Sequence, residues 1–329
     1  MDPLKEKMES VSITNLLNCI QSLNIKNEFL ETVGPKVMNK IIKDSRKESK
    51  VYALRSFHNW IKGELITRIK KEYSANVQNI QNKSYSLLDI AVGRGGDLYK
   101  WDAAGINYVA GFDLNEESIH SADPENPGAI TRYKNSKVKV KVNYFVGDAS
   151  SPRMKIKGVY DFVSCQFALH YFFKSEESLR TMLKLVSTSL ISGGYFYGTT
   201  IDGEKIKSLK KTKGLLYTVK KNYKGPGYFG KEYSFIINDT LYFDTTPSVE
   251  YLVNFEVLNK IAKEYSLEPV YTEFFNDFYL GNNNITPFED LLEKYTVEND
   301  SIKSNKNNNL SPEEIEISRL NSIFIFKKK

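Results

Sequence analysis

At 329 residues the chain can bury a large core, as one big domain or as one domain with an appendage. It holds no run of about eighteen apolar residues, and its first residues are too charged for a secretory signal, so a soluble intracellular protein with no membrane partner is expected. Its two cysteines and three histidines lack metal-ligand spacing, so no metal site is expected, and the net charge of +6 is modest but unevenly placed.

Residues 1–50 read as two or three short helices, with Leu16, Leu17, Ile20 and Leu23 at helical spacing and Gly34-Pro35 breaking the run. They form a helical N-terminal extension ahead of a domain over 51–329. An amphipathic helix follows from Tyr52 to Tyr73, with Leu54, Phe57, Ile61, Leu65 and Ile69 on one face. Strands and helices then alternate: strand Ser86 to Val92, helix Asp97 to Ala104, strands Tyr108 to Asp113, Val138 to Val146 and Tyr160 to Cys165, helix Ser175 to Leu190, and strand Tyr195 to Thr200. This alternation predicts an α/β fold with a doubly wound, mostly parallel sheet.

Beyond the fifth strand, residues 203–246 read as a substrate-binding insertion. They carry nine lysines between Lys205 and Lys231, interleaved with Tyr217, Tyr223, Tyr228 and Phe229. A turn falls at Lys224-Gly225-Pro226-Gly227, and a hairpin pairs Tyr233 to Ile237 with Thr240 to Phe243 across Asn238-Asp239. Lysines among aromatics suit a polyanion whose bases stack, while a solvated lysine surface has the same composition. Val249 to Val253 opens the helix that runs from Phe255 to Tyr265, and Glu268 to Phe275 is a strand. The asparagine-rich, proline-interrupted stretch 281–311 reads as a flexible loop, and Ser322 to Phe326 is a last strand. The sheet then has seven strands and an antiparallel C-terminal edge.

The chemistry concentrates at Leu87-Leu88-Asp89-Ile90-Ala91-Val92-Gly93-Arg94-Gly95-Gly96-Asp97, an apolar strand running into a glycine turn that opens a helix. Without a Cβ at Gly93, a nucleoside ligand can lie against backbone. Asp113, at the end of the next apolar run, is placed to accept both hydroxyls of a ribose. Two adenosine cofactors compete. A dinucleotide turn wants a third glycine, absent here, and Asp97 would repel a pyrophosphate. S-adenosylmethionine has no phosphate and carries an ammonium and a sulfonium, which Asp89 and Asp97 attract, so the methyl donor is favoured. In a doubly wound sheet the strand C-termini share one crevice, where Gly93, Asp113, Asp148 and Gln166 would meet.

Taken together, these segments resemble the mRNA cap guanine-N7 methyltransferase family over roughly residues 51–329. The family's Asn-Asn-aromatic-x-Lys run is matched by His58-Asn59-Trp60-Ile61-Lys62, and its Leu-Asp-Leu-Gly-Cys-Gly-Lys-Gly-Gly-Asp motif by Leu88 to Asp97. Its Ser-x-Gln-Phe-x-x-His-Tyr motif is matched by Ser164 to Tyr171, and its Pro-x-Glu-Tyr/Phe-Leu-Val segment recurs as Pro247 to Val253. The resemblance implies a class I, Rossmann-like methyltransferase fold. It implies donor-binding roles for Lys62, Asp113, Asp148, Gln166 and Tyr171, with Ala149 and the turn residues Asp89, Ala91, Gly93 and Asp97 beside them. It implies cap or RNA contacts for His58, Asn59, Arg94, His170, Tyr171 and Glu250. The chain departs from the family at His58, Ala91, Val92 and Arg94, where asparagine, glycine, cysteine and lysine are usual, and at Asn321, where a tyrosine near the guanine is common.

Guanine N7 is a lone pair with no proton to lose, so no catalytic base is expected; alignment and electrostatics do the work. Glu250 suits the N1–H and 2-amino donors of guanine. The implied partners are GpppN-capped RNA and RNA triphosphatase or guanylyltransferase domains or subunits of a capping apparatus. The implied location is the nucleus for a cellular chain and a cytoplasmic replication site or virion for a viral one. Two rivals stand beside this reading: a small-molecule methyltransferase of the same fold, and a non-catalytic module that binds RNA or stimulates a partner.

Overall fold

The computed structural model describes residues 49–76, 83–124, 126–237, 248–270, 285–301 and 309–329. The expected N-terminal extension lies outside the described residues except for Ser49 and Lys50. So do the expected strand arm Thr240 to Phe243 and the end of the expected strand Glu268 to Phe275.

Helix α1 (Tyr52–Ala75) turns Leu54, Phe57, Ile61, Leu65 and Ile69 inward, as the spacing requires. The main sheet comprises β1 (Ser86–Ile90), β2 (Tyr108–Asp113), β3 (Lys141–Val146), β4 (Tyr160–Gln166), β5 (Leu190–Ile201), β9 (Leu267–Pro269), β10 (Ile285–Pro287) and β11 (Asn321–Lys328). Seven strands run in the order β10-β11-β5-β4-β1-β2-β3, and β9 adds to β11 as an eighth. Strands β1 to β5 are mutually parallel, and β11 is antiparallel to β5. The order reverses between β1 and β4, so a crevice opens beyond their C-terminal ends.

Connecting helices are α2 (Leu98–Ala103), α3 (Glu116–His120), α4 (Ala129–Lys134), α5 (Leu169–Phe172), α6 (Glu176–Ser189), α7 (Gly203–Ser208), α8 (Phe255–Glu264), α9 (Leu292–Ser301) and α10 (Pro312–Arg319). The pleat sends alternate residues of β1 to opposite layers: Leu87 joins Phe57, Ile61 and Trp101, while Leu88 and Ile90 join Phe112, Met182 and Leu183. Each such fully buried large side chain contributes about 1.5–3 kcal/mol. Among the described residues no helix is long and apolar enough to cross a membrane.

Three expectations need correction. The fifth strand starts at Leu190, not Tyr195: Leu190 already pairs with Tyr160, and the ladder then shifts register through Gly193, at a left-handed φ of 78°, and Gly194, where a Cβ would come within 2.7 Å of the Asp161 carbonyl, before Tyr195 pairs with Phe162. The stretch 281–311 is not simply a loop: its described part forms β10, a 3-10 turn (Phe288–Leu291) and α9. Phe288, Leu291 and Tyr295 are buried there, two of them against Phe57 of α1, so apolar spacing outweighs the asparagine-rich flanks. Finally, Glu250 is not on a helix. It lies on β8 (Ser248–Tyr251) of a separate antiparallel sheet with β6 (Tyr217–Lys221) and β7 (Glu232–Ile237), and α8 begins only where Asn254 caps the Val257 amide at 2.9 Å. The turn that joins β6 to β7 spans the Lys224–Gly227 segment, so β7 pairs backward with β6 as well as forward with β8.

Candidate active site

The crevice at the ends of β1, β2, β3 and β4 is a cleft of about 970 Å³, within the range of small-molecule sites. Ala91, Asp113, Asp148, Ala149, Gln166 and Tyr171 all line it. The turn after β1 is shaped by three left-handed residues, Ala91 (φ 57°), Gly93 (φ 54°) and Gly95 (φ 70°). Glycine adopts that conformation freely, whereas an alanine there costs about 1–2 kcal/mol. At Gly95 a Cβ would also meet the Tyr144 hydroxyl at 2.8 Å. Asp113 locks the turn: one carboxylate oxygen accepts the Gly93 amide at 2.7 Å and the other accepts the Asn115 amide at 2.9 Å.

The remaining polar lining is equally well held. Asp148 Oδ1 accepts from the amide and hydroxyl of Ser150 at 2.8 and 2.7 Å. The Gln166 amide donates to Ser164 Oγ at 3.1 Å and accepts from Thr199 Oγ1 at 2.9 Å. Residue 167 then turns into the left-handed region (φ 54°), which carries the Phe167 ring beneath the Lys62 ammonium at 5.8 Å.

Behind the glycine turn lies a buried charge cluster. Asp97 Oδ1 is 2.6 Å from Lys62 Nζ and 2.9 Å from Lys100 Nζ. Burial pushes the Asp97 carboxyl up, but the two ammonium groups outweigh it and hold it below the usual carboxylate value. Asp89 goes the other way. Burial first, then the neighbouring Asp97, pushes it well above its ordinary value, and its Oδ1 has no hydrogen-bond partner among the described residues. Asp89, Gly93, Asp97 and Lys62 do not line the cleft.

A second cluster adjoins the cleft through Tyr171, which is half-exposed on the cleft side and sits with its ring 4.2 Å from that of His170. Burial, then Glu250, pushes the Tyr171 hydroxyl up to about 12. His170 is buried, both its ring nitrogens lack hydrogen-bond partners among the described residues, and Nε2 is 3.9 Å from Glu250 Oε1. Burial lowers the His170 value, with Glu250 opposing only in part. Glu250 is also buried; Oε2 accepts from the Tyr233 hydroxyl at 2.7 Å and Oε1 from Ser248 Oγ at 2.8 Å.

Other expected site residues stand apart. His58 is packed rather than exposed: its ring stacks on Phe167 at 5.5 Å, Nε2 is 3.1 Å from Ser318 Oγ, and burial, then Lys62, lowers its value to about 3. Asn59 is exposed on α1. Arg94 is tied down by Glu117 Oε1 and the Asn126 carbonyl, each at 2.7 Å, so its charge is already compensated. Asn321 is buried and caps α10 through the carbonyls of Ile317 and Ser318. Sequence reasoning missed Phe167, Tyr233 and Ser248. The last two were within reach, since a strand through Glu250 puts Ser248 on the same face, two residues away.

The chain matches the family model for the mRNA (guanine-N(7))-methyltransferase domain over residues 35–329. It is 31% identical over 304 residues to "mRNA cap guanine-N(7) methyltransferase 1" of Arabidopsis thaliana, covering 87% of this chain and 77% of that protein. It is 30% identical over 271 residues to the "mRNA cap guanine-N(7) methyltransferase" of Schizosaccharomyces pombe, covering 77% of this chain and 70% of that one.

Proposed function

The chain belongs to the mRNA (guanine-N(7))-methyltransferase family, and from that premise we propose that it methylates N7 of the terminal guanine of GpppN-capped RNA by direct in-line displacement, without a general base. What chiefly supports this reading is the juxtaposition of two polar clusters across Tyr171. One is a cleft walled by strand-end carboxylates; the other is a buried Glu250–His170 pair whose ring nitrogens lack hydrogen-bond partners among the described residues.

The methyl donor is S-adenosylmethionine, which supplies an electrophilic methyl group on a sulfonium. The residues fit such a molecule. The cleft is large enough, Asp113 and Asp148 offer acceptors to hydroxyl and amine groups, and Asp89 keeps an unpartnered oxygen behind the turn. Lys62 and Asp97 pair with each other behind the glycine turn and do not line the cleft, so they back the turn that the donor meets. Because Asp113 is fixed by the Gly93 and Asn115 amides, it is set in place before any ligand arrives, and no ordering cost falls on binding.

Glu250 serves as acceptor for N1–H and the 2-amino group of guanine, with Tyr233 and Ser248 orienting its carboxylate. Adenine presents neither an N1–H nor a 2-amino donor and so forgoes both hydrogen bonds to the carboxylate. His170, held neutral by burial, borders the base. N7 presents a lone pair, so no proton has to be taken from it; Tyr171 and His170 keep water away while charge passes from sulfonium to purine. In this reading residues 51–329 act as one methyltransferase domain, and the insertion 203–246 serves the substrate.

The deciding experiment is labelled-methyl transfer to GpppG-capped RNA, with uncapped and ApppG-capped RNA as controls. Transfer to the guanine cap alone is expected. Donor binding without transfer to any RNA would point instead to a binding module, and equal transfer to the ApppG cap would overturn the role of Glu250.

A further inference from the structure

The lysine-rich insertion is not uniformly available to a polyanion. Lys207 and Lys211 are paired with carboxylates of Glu204, Glu313 and Glu316, and Lys205 with the Arg319 carbonyl and Glu289. Lys221 donates to the carbonyls of Lys207 and Leu209. Lys231 is nearly buried, and its ammonium is caged by the carbonyls of Lys224, Gly225 and Pro226. Lys210, Lys213, Lys220 and Lys224 have no such side-chain partner among the described residues, and of these Lys220 stands in the row that reaches the cleft wall and Lys224 at the tip of the hairpin.

Cross-strand partners in an antiparallel sheet point to the same side. Lys220 pairs with Ser234 and Ser234 with Val249, so these three form one row across β6, β7 and β8. Val249 and Tyr251, on that same face, line the cleft. At about 4.8 Å per strand, Lys220 lies roughly 10 Å out from the cleft wall. Glu232, the acid opposite Tyr251 on this face, is held by the Asn222 amide at 3.2 Å. The Lys231 cage fixes the tip that joins β6 to β7. Phe229 stacks on Phe173 at 5.6 Å, and the Gly230 amide donates to the Phe173 carbonyl at 3.0 Å. That docking sets the tip, with exposed Lys224 and half-exposed Tyr228, beside Lys174, which itself lines the cleft.

We propose that this face of the small sheet, on the other side of edge strand β8 from Glu250, and the caged tip of its first hairpin seat the first nucleotides that follow the cap, the RNA rounding that edge from the guanine. Lys220 and Lys224 hold phosphates and Tyr228 offers a ring to a base, the combination that binds single-stranded RNA without reading its sequence. The inference rests on the capped-RNA reading above.

The test measures binding of a fluorescent ten-nucleotide GpppG-capped single strand against salt for the wild type, Lys220→Ala/Lys224→Ala and Lys207→Ala/Lys211→Ala, the last two losing equal charge. At about 0.7 per phosphate contact, the first double variant lowers the log–log salt slope by about 1.4 and the second leaves it unchanged. Tyr228→Ala weakens binding roughly tenfold. Lys220→Ala/Lys224→Ala should still methylate the bare GpppG dinucleotide at the wild-type rate. An unchanged slope in that variant, an equal fall in the control, or a wild type that does not bind the strand overturns the proposal. Failure of the wild type to methylate the dinucleotide sinks the functional reading instead, and the binding measurement still decides the seat.

Discussion

Glu250→Gln separates guanine recognition from folding and from donor binding. The wild-type carboxylate is buried and already accepts two hydroxyls, from Tyr233 and Ser248. Alanine would strand both hydroxyls at about 1–3 kcal/mol each, and a folding defect would then obscure the result. Glutamine keeps one carbonyl for one hydroxyl, and its amide can donate to the other, so stability should change by no more than about 1 kcal/mol. Toward guanine the exchange is severe. Two charge-assisted acceptors become one neutral acceptor and one donor facing a donor, a loss of about 3 kcal/mol or more, equivalent to at least a hundredfold in kcat/KM at about 1.4 kcal/mol per tenfold. The assay compares GpppG- and IpppG-capped RNA, inosine lacking the 2-amino group. The wild type should favour guanosine by roughly tenfold, one such hydrogen bond, and the variant should lose most of that preference. Donor affinity measured by calorimetry should stay within about twofold, since Glu250 does not line the donor cleft. A variant that keeps the guanosine preference, or loses donor affinity to the same extent as turnover, refutes the assignment.

Ala91→Gly should relieve about 1–2 kcal/mol of left-handed strain against about 0.4–1 kcal/mol of added unfolded-chain entropy, giving a net stabilisation between zero and about 1.6 kcal/mol in denaturant titrations. A destabilised variant would show that the alanine methyl packs better than its conformation costs. The Asp89 value is raised on folding, so its contribution is complete below the ordinary carboxylate value of 3.8 and is lost as pH rises through the folded value. Asp89→Asn should therefore become progressively more stable relative to the donor-free wild type as pH rises from 4 to 8, and parallel melting curves would contradict this. His58 has the opposite sign: lowered from 6.5 to about 3, its contribution is present above 6.5 and fades as pH falls toward 3. Its imidazole should remain neutral by nuclear magnetic resonance at pH 5, and an imidazolium signal there would mean that the ring is not buried between Phe167 and Phe288.

Much of the fold was readable because its signals are local. The pleat and the helical turn impose periods of 2 and 3.6 on apolar residues, so β1 to β4, α1, α6 and α8 fall close to where the pattern puts them. The misreadings came where an element depends on a distant partner. Glu250 sits in a four-residue strand that exists only because β7 lies beside it, and too short a period survives in four residues to distinguish strand from helix start. Phe288, Leu291 and Tyr295 were masked by polar neighbours and owe their burial to α1. Cleft-lining residues at strand ends, such as Asp113, Asp148 and Gln166, were legible because the doubly wound topology gathers strand C-termini whatever the side chains do.

The amino-acid sequence alone determined the alternating α/β order, the glycine turn with its strand-end carboxylate, and the motifs that identify the family, because periodicity, left-handed backbone and motif spacing are properties of neighbours along the chain. Only the tertiary structure decided the charge states and availability of the side chains. It paired Asp97 with Lys62, left Asp89 pushed up, stacked a neutral His58, compensated Arg94, and separated the engaged lysines of the insertion from Lys210, Lys213, Lys220 and Lys224. Ionisation and hydrogen bonding follow from desolvation and from partners within a few ångströms, and those partners come from segments that only folding brings together.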